Sequence, residues 1–337
     1  SLVVVDADVL GRRRTGDETY VLNLLRELGR VAPAAGLRIA AVTRHPELVP
    51  PGVEPLSLTT PVQELRMLVT LPRLLRRVGA ALVHTQYAVP LRSRCPAIVT
   101  IHDLSFERDG SLMPRKDRLV FRAVVPRAAR RAARVLTVSE RTKRDLVELY
   151  RLPADRVVVT PNGVDPAFTL GDGSARGDYV LAVGAVEPKK GQLAAATAAR
   201  AANLPLVVVG PVRDEALASE LRRRGADLRG YVPQTELVQL YRDAACLVQA
   251  SRFEGFGLPV VEAMACGTPV VALDEPALRE VAGEAAVFAD EAGLADAIRR
   301  AIAARERLRA AGFERAAAFS WRATAERTLE VYREALA

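Results

Sequence analysis

Short runs of Val, Ile, Leu and Ala recur along the first half of the chain at 2–5, 37–42, 81–84, 97–101, 134–138 and 156–160. They are too uniformly apolar to have a solvent side, which predicts strands buried on both faces. Between several of them, 18–30, 62–78, 117–133 and 140–150 carry apolar residues at helical spacing. Alternation of this kind predicts a mostly parallel sheet covered by helices on both faces. Turn chemistry interrupts the pattern at Thr160-Pro161-Asn162-Gly163-Val164-Asp165-Pro166 and again over the Gly/Asp/Ser-rich 171–178, where a linker is expected. Predicted strands then resume at 179–183, 206–209, 228–232, 246–250 and 270–273. The final segment, 321–336, reads as an amphipathic helix with Leu329 and Tyr332 on one stripe, expected to cross back to the first domain. The fold class is α/β, with two doubly wound Rossmann-like domains over 1–165 and 166–319 and a returning helix over 320–337.

Composition narrows the function. A chain of 337 residues, half of them apolar, is globular and large enough for two cores. No apolar run reaches the roughly 20 residues of a membrane span and no signal-peptide pattern opens the sequence, so a cytoplasmic protein is expected. Cys95, Cys246 and Cys266 are odd in number and lack C-x-x-C spacing, which predicts reduced thiols and neither disulfides nor a zinc site. The net charge of +8, carried almost wholly by arginine, would attract anionic partners. Nucleic acid is not expected among them, because aromatic residues are 5% of the chain and interleave with no basic module.

The chemistry concentrates between two predicted strands, at 251–269. Gly255 and Gly257 permit a tight loop, Pro259 fits a first helical position and Gly267 can end the same helix. A glycine-bearing loop feeding a helix N-terminus after a parallel strand is an anion site. Glu254 in the loop and Glu262 in the helix, eight positions apart, can flank one ligand. Carboxylates only accept hydrogen bonds, so the pair suits a molecule with both phosphates and vicinal hydroxyls, such as a nucleotide sugar.

The run Phe253-Glu254-Gly255-Phe256-Gly257-Leu258-Pro259, with Glu262-Ala263-Met264-Ala265-Cys266-Gly267-Thr268-Pro269 after it, resembles the paired-glutamate signature of the family-four retaining glycosyltransferases of GT-B architecture. The resemblance extends to Val183-Gly184 with Glu187-Pro188-Lys189-Lys190-Gly191, Val138-Ser139-Glu140, Pro161-Asn162-Gly163-Val164-Asp165 and Ile101-His102-Asp103-Leu104-Ser105. It covers nearly the whole chain and is greatest to the mannosyltransferase-like branch. It implies domains facing a central cleft, the first taking the acceptor and the second the nucleotide-sugar donor. Glu254 is then expected on sugar hydroxyls and Glu262 on the ribose, with backbone amides of Phe256, Gly257 and Leu258 near the donor. Lys190, with Lys189 beside it, is expected to meet the diphosphate after Gly184, and the base to lie near Gly230-Tyr231-Val232. His102 is expected near the transferred sugar, and His102, Glu254 and Lys190 are the catalytic candidates.

The chain departs from the family in two places. Ala185 stands where an arginine often follows the strand-end glycine, so the lysines, or Arg252, would have to neutralise phosphate. The resemblance implies that Thr15-Gly16-Asp17, at the start of the first long helix, sets backbone amides against donor or acceptor, with Gly16 on the donor, but Asp17-Glu18-Thr19 stand where a second glycine and a basic residue are usual. The implied donor is GDP-mannose or another nucleoside diphosphate sugar, a UDP-sugar being second choice; the acceptor is a saccharide, a lipid-linked or a small molecule. No cofactor and no metal are expected. Asp6-Ala7-Asp8 looks like a metal motif but has no supporting ligands and reads as structural, as does His84 at a strand end. Arg127, Arg130, Arg131 and Arg134 would form one basic face if the helix continued through them, giving weak contact with an anionic membrane surface, at the inner face. A dinucleotide-dependent oxidoreductase is disfavoured because no G-x-G-x-x-G follows an early strand. A noncatalytic sugar-nucleotide-binding protein is the alternative from another class.

Overall fold

The computed structural model describes residues 1–12, 15–171 and 177–337, so the middle of the expected 171–178 linker lies outside the described residues. The chain divides into two compact units: Ser1–Gly163 with Trp321–Ala337, and Val164–Ser320.

The first unit holds β1 (Leu2–Asp6), β2 (Arg38–Thr43), β3 (Glu54–Ser57), β4 (Leu82–Gln86), β5 (Ala97–Thr100), β6 (Arg134–Thr137) and β7 (Val157–Val159). They pair in parallel in the order β3-β2-β1-β4-β5-β6-β7. The second unit holds β8 (Val180–Val183), β9 (Leu206–Val209), β10 (Asp227–Gly230), β11 (Cys246–Gln249), β12 (Val270–Leu273) and β13 (Ala286–Ala289). These also pair in parallel, in the order β10-β9-β8-β11-β12-β13. Each sheet is a doubly wound α/β sheet, and its order reverses once, between β1 and β4 and between β8 and β11. Residues leaving those strands at their carboxyl ends face the crevice where such folds bind ligands.

The central strands are continuously buried, as in β1 and β12; two hydrophobic clusters lie side by side on one face of the first sheet, one over β1, β2 and β4 and one over β5, β6 and β7, and a large core covers one face of the second sheet. β3 and β13 are absent from the sequence reading. Both are four-residue edge strands: the Glu-Pro-Leu-Ser of β3 is largely exposed and carries no apolar run, whereas β13 is the apolar Ala-Val-Phe-Ala, short and only partly buried.

Two predicted elements end differently. The helix expected over 62–78 contains a π-helical turn, Arg66–Thr70, before Leu71–Val78. Arg66 on that turn is 1% exposed and donates two bonds to Asp6, Nη1 to Oδ2 at 2.5 Å and Nη2 to Oδ1 at 2.7 Å. The helix Arg115–Arg131 stops before Arg134: Ala132 turns extended, and the Ala133 amide already donates to Ala97 in the strand register. Arg134 therefore belongs to β6 and not to the basic helix face.

The helix Trp321–Leu336 packs on the helix Thr15–Val31 of the first unit. Its Tyr332 hydroxyl lies 2.6 Å from His84 Nδ1, and Thr324 donates to the Pro161 carbonyl at 2.5 Å.

Candidate active site

In the second unit the site begins with two strand ends made adjacent by the β8–β11 pairing. After β8, Gly184 has φ 144°, and a side chain on Gly210, at the end of β9, would come within 2.2 Å of the Gly184 carbonyl. The chain then forms a short 3-10 turn, Pro188–Lys190, ended by Gly191 at φ 63°. A Cβ at Gly191 would lie 2.0 Å from the Ala250 carbonyl, so only glycine lets this turn press against the end of β11.

That approach puts the Lys190 ammonium on Glu254, Nζ to Oε1 2.7 Å. The same carboxylate oxygen accepts from Gln249 Nε2 at 2.8 Å, and Gln249 also donates to Ser251 Oγ at 3.0 Å. Glu254 is buried; burial alone would raise its pKa, but Lys190 and Lys189 outweigh it and hold the carboxyl below its ordinary value. Lys189 Nζ lies 4.0 Å from Glu187, which also pairs with Arg213. The cluster is a carboxylate kept charged in a half-dry place, with a lysine beside it where an anion can meet it.

Glu262 is set apart chemically. It sits on the helix Leu258–Ala265, which follows Gly257 in the left-handed conformation and begins with proline in its first turn. Burial drives its carboxyl up to about 7, Asp165 adds to the rise, and a hydrogen bond from the Tyr241 hydroxyl at 2.7 Å opposes it. The two carboxyls thus face different partners and titrate in opposite directions. Phe256 is buried edge-on against Phe319 and fixes the loop that leads into this helix. The first amides of the helix have no acceptor within it, which makes Gly257–Leu258 a place for anionic oxygen.

The remaining expected residues are dispersed. Gly230 turns left-handed at φ 65° and ends β10, so Tyr231, 60% exposed, and buried Val232 lie in the loop beyond the strand predicted to contain them. Ala185 is buried and its carbonyl accepts from Gln192 at 2.8 Å. Arg252 pairs with Glu291 at 2.9 Å.

In the first unit His102 follows β5, half-buried, with Nε2 3.0 Å from Gln86 Oε1 at the end of β4. Tyr20 meets its ring edge-on at 4.7 Å. Burial lowers its pKa despite the opposing charges of Asp17 and Asp103, so the imidazole is neutral at pH 7. Gly16 lies in the first turn of the helix Thr15–Val31, exposed, with nothing within 4 Å of where a Cβ would stand; neither a turn nor a close approach demands glycine there. His84 is buried between hydroxyls, Tyr332 on Nδ1 and Thr100 on Nε2 at 2.7 Å, and desolvation drops its pKa to about 3. Asp6 is held by Arg66, and Asp8 by Arg44 at 2.9 Å and by Arg12. These arginines account structurally for the Asp6-Ala7-Asp8 motif.

Gln249, Ser251, Tyr241 and Gln86 escaped the sequence reading. For Gln249 a signal existed: it is the polar residue closing the apolar run Cys246-Leu247-Val248.

Comparison with known proteins agrees along the chain. Residues 174–317 match the family "Glycosyl transferases group 1" and residues 14–168 match "Glycosyltransferase Family 4". The O-antigen chain mannosyltransferase B of Escherichia coli is 31% identical over 269 residues, 70% of this chain and 70% of that one. The D-inositol 3-phosphate glycosyltransferase of Frankia alni is 34% identical over 292 residues, 74% of this chain and 71% of that one. The crystal structure of Anabaena Alr3699/HepE in complex with UDP-glucose superimposes with a TM-score of 0.75 at 16% identity, over 99% of each chain, a likeness of fold.

Proposed function

Because the chain belongs to the family-four glycosyltransferases of GT-B fold, which move a sugar from a nucleotide sugar, we propose that it transfers a hexose with retention and without metal. The proposed donor is GDP-mannose, in line with the mannosyltransferase among its relatives; a UDP-sugar, as bound by the Anabaena protein, is the second choice. The acceptor hydroxyl belongs to a saccharide, a lipid-linked or a small molecule, and a phosphorylated polyol is included by the name of the Frankia relative.

The observation that carries this reading is the cluster of Lys190, Glu254 and Gln249 at the reversal point of the second sheet. In it Lys190, helped by Lys189, meets the diphosphate, and Glu254 accepts from sugar hydroxyls. Glu262 accepts from the ribose, while Phe256, Gly257 and Leu258 offer amides to the phosphates or sugar. Gly184 leaves room for the diphosphate, the base lies against Tyr231 and Val232, and neutral His102 hydrogen-bonds the transferred sugar. Gly16 and its helix end contribute amides from the first unit. As the glycosidic bond breaks, charge grows on the diphosphate, where lysine and amides stabilise it. The acceptor attacks from the face the diphosphate leaves, so no carboxylate nucleophile is required.

Calorimetry with GDP, UDP and ADP, followed by NMR of the product's anomeric centre, tests the reading. GDP is expected to bind most tightly, the product to keep the donor's anomeric configuration, and turnover to survive EDTA. Absence of binding by all three nucleotides at millimolar concentration, or an inverted product, overturns it.

A further inference from the structure

On the face of the first sheet opposite its two hydrophobic clusters, β4 and β5 carry a polar stripe where buried parallel strands are ordinarily apolar. His84 and Gln86 come from β4, Thr100, the register partner of Gln86, closes β5, and His102 follows two positions on. Positions two apart leave a strand on the same side. The inner pair is closed: His84 is satisfied by Tyr332 and Thr100, and Thr100 Oγ1 lies 3.0 Å from the Tyr20 hydroxyl. The outer pair is open. His102 Nε2 lies 3.0 Å from Gln86 Oε1, while His102 Nδ1 and Gln86 Nε2 meet no hydrogen-bonding partner among the described residues.

The backbone bends to hold that pair. β4 stops at Gln86 because Tyr87 takes φ 56°, a left-handed conformation rare for a large side chain. The Ala88 amide then donates back to the Gln86 carbonyl at 2.6 Å, closing a three-residue turn. Strain of this kind persists only where the surroundings over-determine it, and it clusters at functional sites. The Tyr87 ring packs on the His102 ring with centroids 5.7 Å apart, and Tyr20 packs on it at 4.7 Å. Neither gives the imidazole a hydrogen bond: the Tyr20 hydroxyl is engaged with Thr100, and that of Tyr87 with the backbone of His102 and Asp103. Among the described residues only Gln86 bonds the ring.

We propose that Gln86 is the positioning residue of His102: its amide oxygen takes the Nε2 proton, so the imidazole is held as one tautomer and Nδ1 is left as a lone pair that only accepts. A neutral imidazole has one donor and one acceptor nitrogen, and a bond at either fixes the other. The group that suits Nδ1 is therefore a substrate hydroxyl, which can donate; a carbonyl or phosphate oxygen there would set lone pair against lone pair. Placing a sugar hydroxyl at Nδ1 rests on the glycosyl-transfer reading above, whereas the tautomer does not.

The chain has three histidines, so nitrogen NMR of the ring atoms in the full, histidine-labelled protein reads each one, and His102→Gln identifies the signals of His102. Without substrate at neutral pH, Nε2 of His102 should carry the proton and Nδ1 none. The opposite tautomer, or a mixture of the two, overturns the proposal. Gln86→Leu, with folding checked by thermal melts, should turn the single tautomer into a mixture and lower kcat/KM about tenfold, the worth of one hydrogen bond. A leucine variant that keeps either the pure tautomer or the wild-type kcat/KM also overturns it. In Gln86→Glu a carboxylate oxygen accepts the same proton, so at pH 8.5 the tautomer and most of the turnover should be kept. Toward pH 6 that variant should lose both, because the new charge, added to those of Asp17 and Asp103 facing the ring, draws a second proton onto it. Should the leucine variant not fold, the wild-type spectrum and Gln86→Glu decide. Adding GDP-mannose should shift the Nδ1 signal and GDP alone should not; an unmoved Nδ1 signal while calorimetry shows GDP-mannose bound overturns the contact with the sugar. If no nucleotide or nucleotide sugar binds, the donor reading fails by itself, and the spectrum of the free protein still decides the role of Gln86.

Discussion

Lys190 serves two ends at once: it compensates a buried carboxylate in the resting protein, and in the proposed reaction it receives the departing diphosphate. These roles separate under mutation. In Lys190→Ala, Glu254 keeps its bond from Gln249 but loses the ammonium that holds its pKa down, so stability at pH 7 should fall by about 1–3 kcal/mol. Adding Glu254→Gln removes the uncompensated charge and should restore most of that loss. Turnover should not return. If the lysine bond to phosphate strengthens mainly in the transition state, kcat falls about 10–100-fold in Lys190→Ala with KM little changed. Lys189 is near enough to lower the Glu254 pKa and could move into the vacancy, so the Lys189→Ala/Lys190→Ala variant should lose more than the two single losses combined. Steady-state kinetics beside urea denaturation distinguish these outcomes; wild-type kcat and KM in Lys190→Ala and in the Lys189/Lys190 double variant would make the lysines purely structural.

At the scale of elements, what makes the site is a close approach of backbones, and one glycine tests it. Gly191→Ala must accept both a left-handed φ and a Cβ against the Ala250 carbonyl, whereas Gly225, also left-handed at φ 83°, has open space around its missing Cβ. Gly225→Ala should therefore cost only the conformational term, about 1–2 kcal/mol. Gly191→Ala should cost clearly more and displace Lys190, reducing turnover even in molecules that remain folded. Equal losses of stability in the two variants would refute the packing argument. The same contrast explains what the sequence made legible. Buried strands declared themselves because both faces of a parallel sheet need apolar side chains, and helices such as Glu140–Tyr150 because their packing stripe recurs at helical period. Edge strand β3, with Glu54 and Pro55 exposed, lacks that demand. The π turn at Arg66–Thr70 arises from a long-range pair, Arg66 with Asp6, that no local pattern encodes. In the site, the loop and helix holding Glu254 and Glu262 were legible through glycine and proline, whose backbone limits are local. The bonds from Gln249 and Tyr241 were not, since they depend on which strand and helix become neighbours.

For the molecule as a whole, buried titratable groups give the two units opposite responses to acid. In the first unit, His84 has a folded pKa of about 3 against an ordinary value of 6.5, and that of His102 is lowered too. The unfolded chain takes those protons first, so the stability from neutral histidine is full above pH 6.5 and is lost as the pH falls toward 3. In the second unit, Glu262 has a folded pKa of about 7 against 4.5, so the folded chain holds that proton. Its contribution is full below pH 4.5 and lost as the pH rises through 7. Going from pH 7 to 5 should thus weaken the first unit and strengthen the second, each by about 2 kcal/mol, in a window above the range where ordinary carboxylates titrate. The helix Trp321–Leu336 should follow the first unit, because Tyr332 is bonded to His84 although the helix follows the second unit in sequence. Hydrogen exchange, corrected for the intrinsic pH dependence of the chemistry, reads the units separately. Amides of β4, β5 and Trp321–Leu336 should lose protection at pH 5, and those of β11 and β12 should gain it. His84→Gln should flatten the first response without altering the second, and Glu262→Gln the reverse. Protection that rises or falls together in both units would mean that they open as one, and that no single buried group sets the acid response of its own sheet.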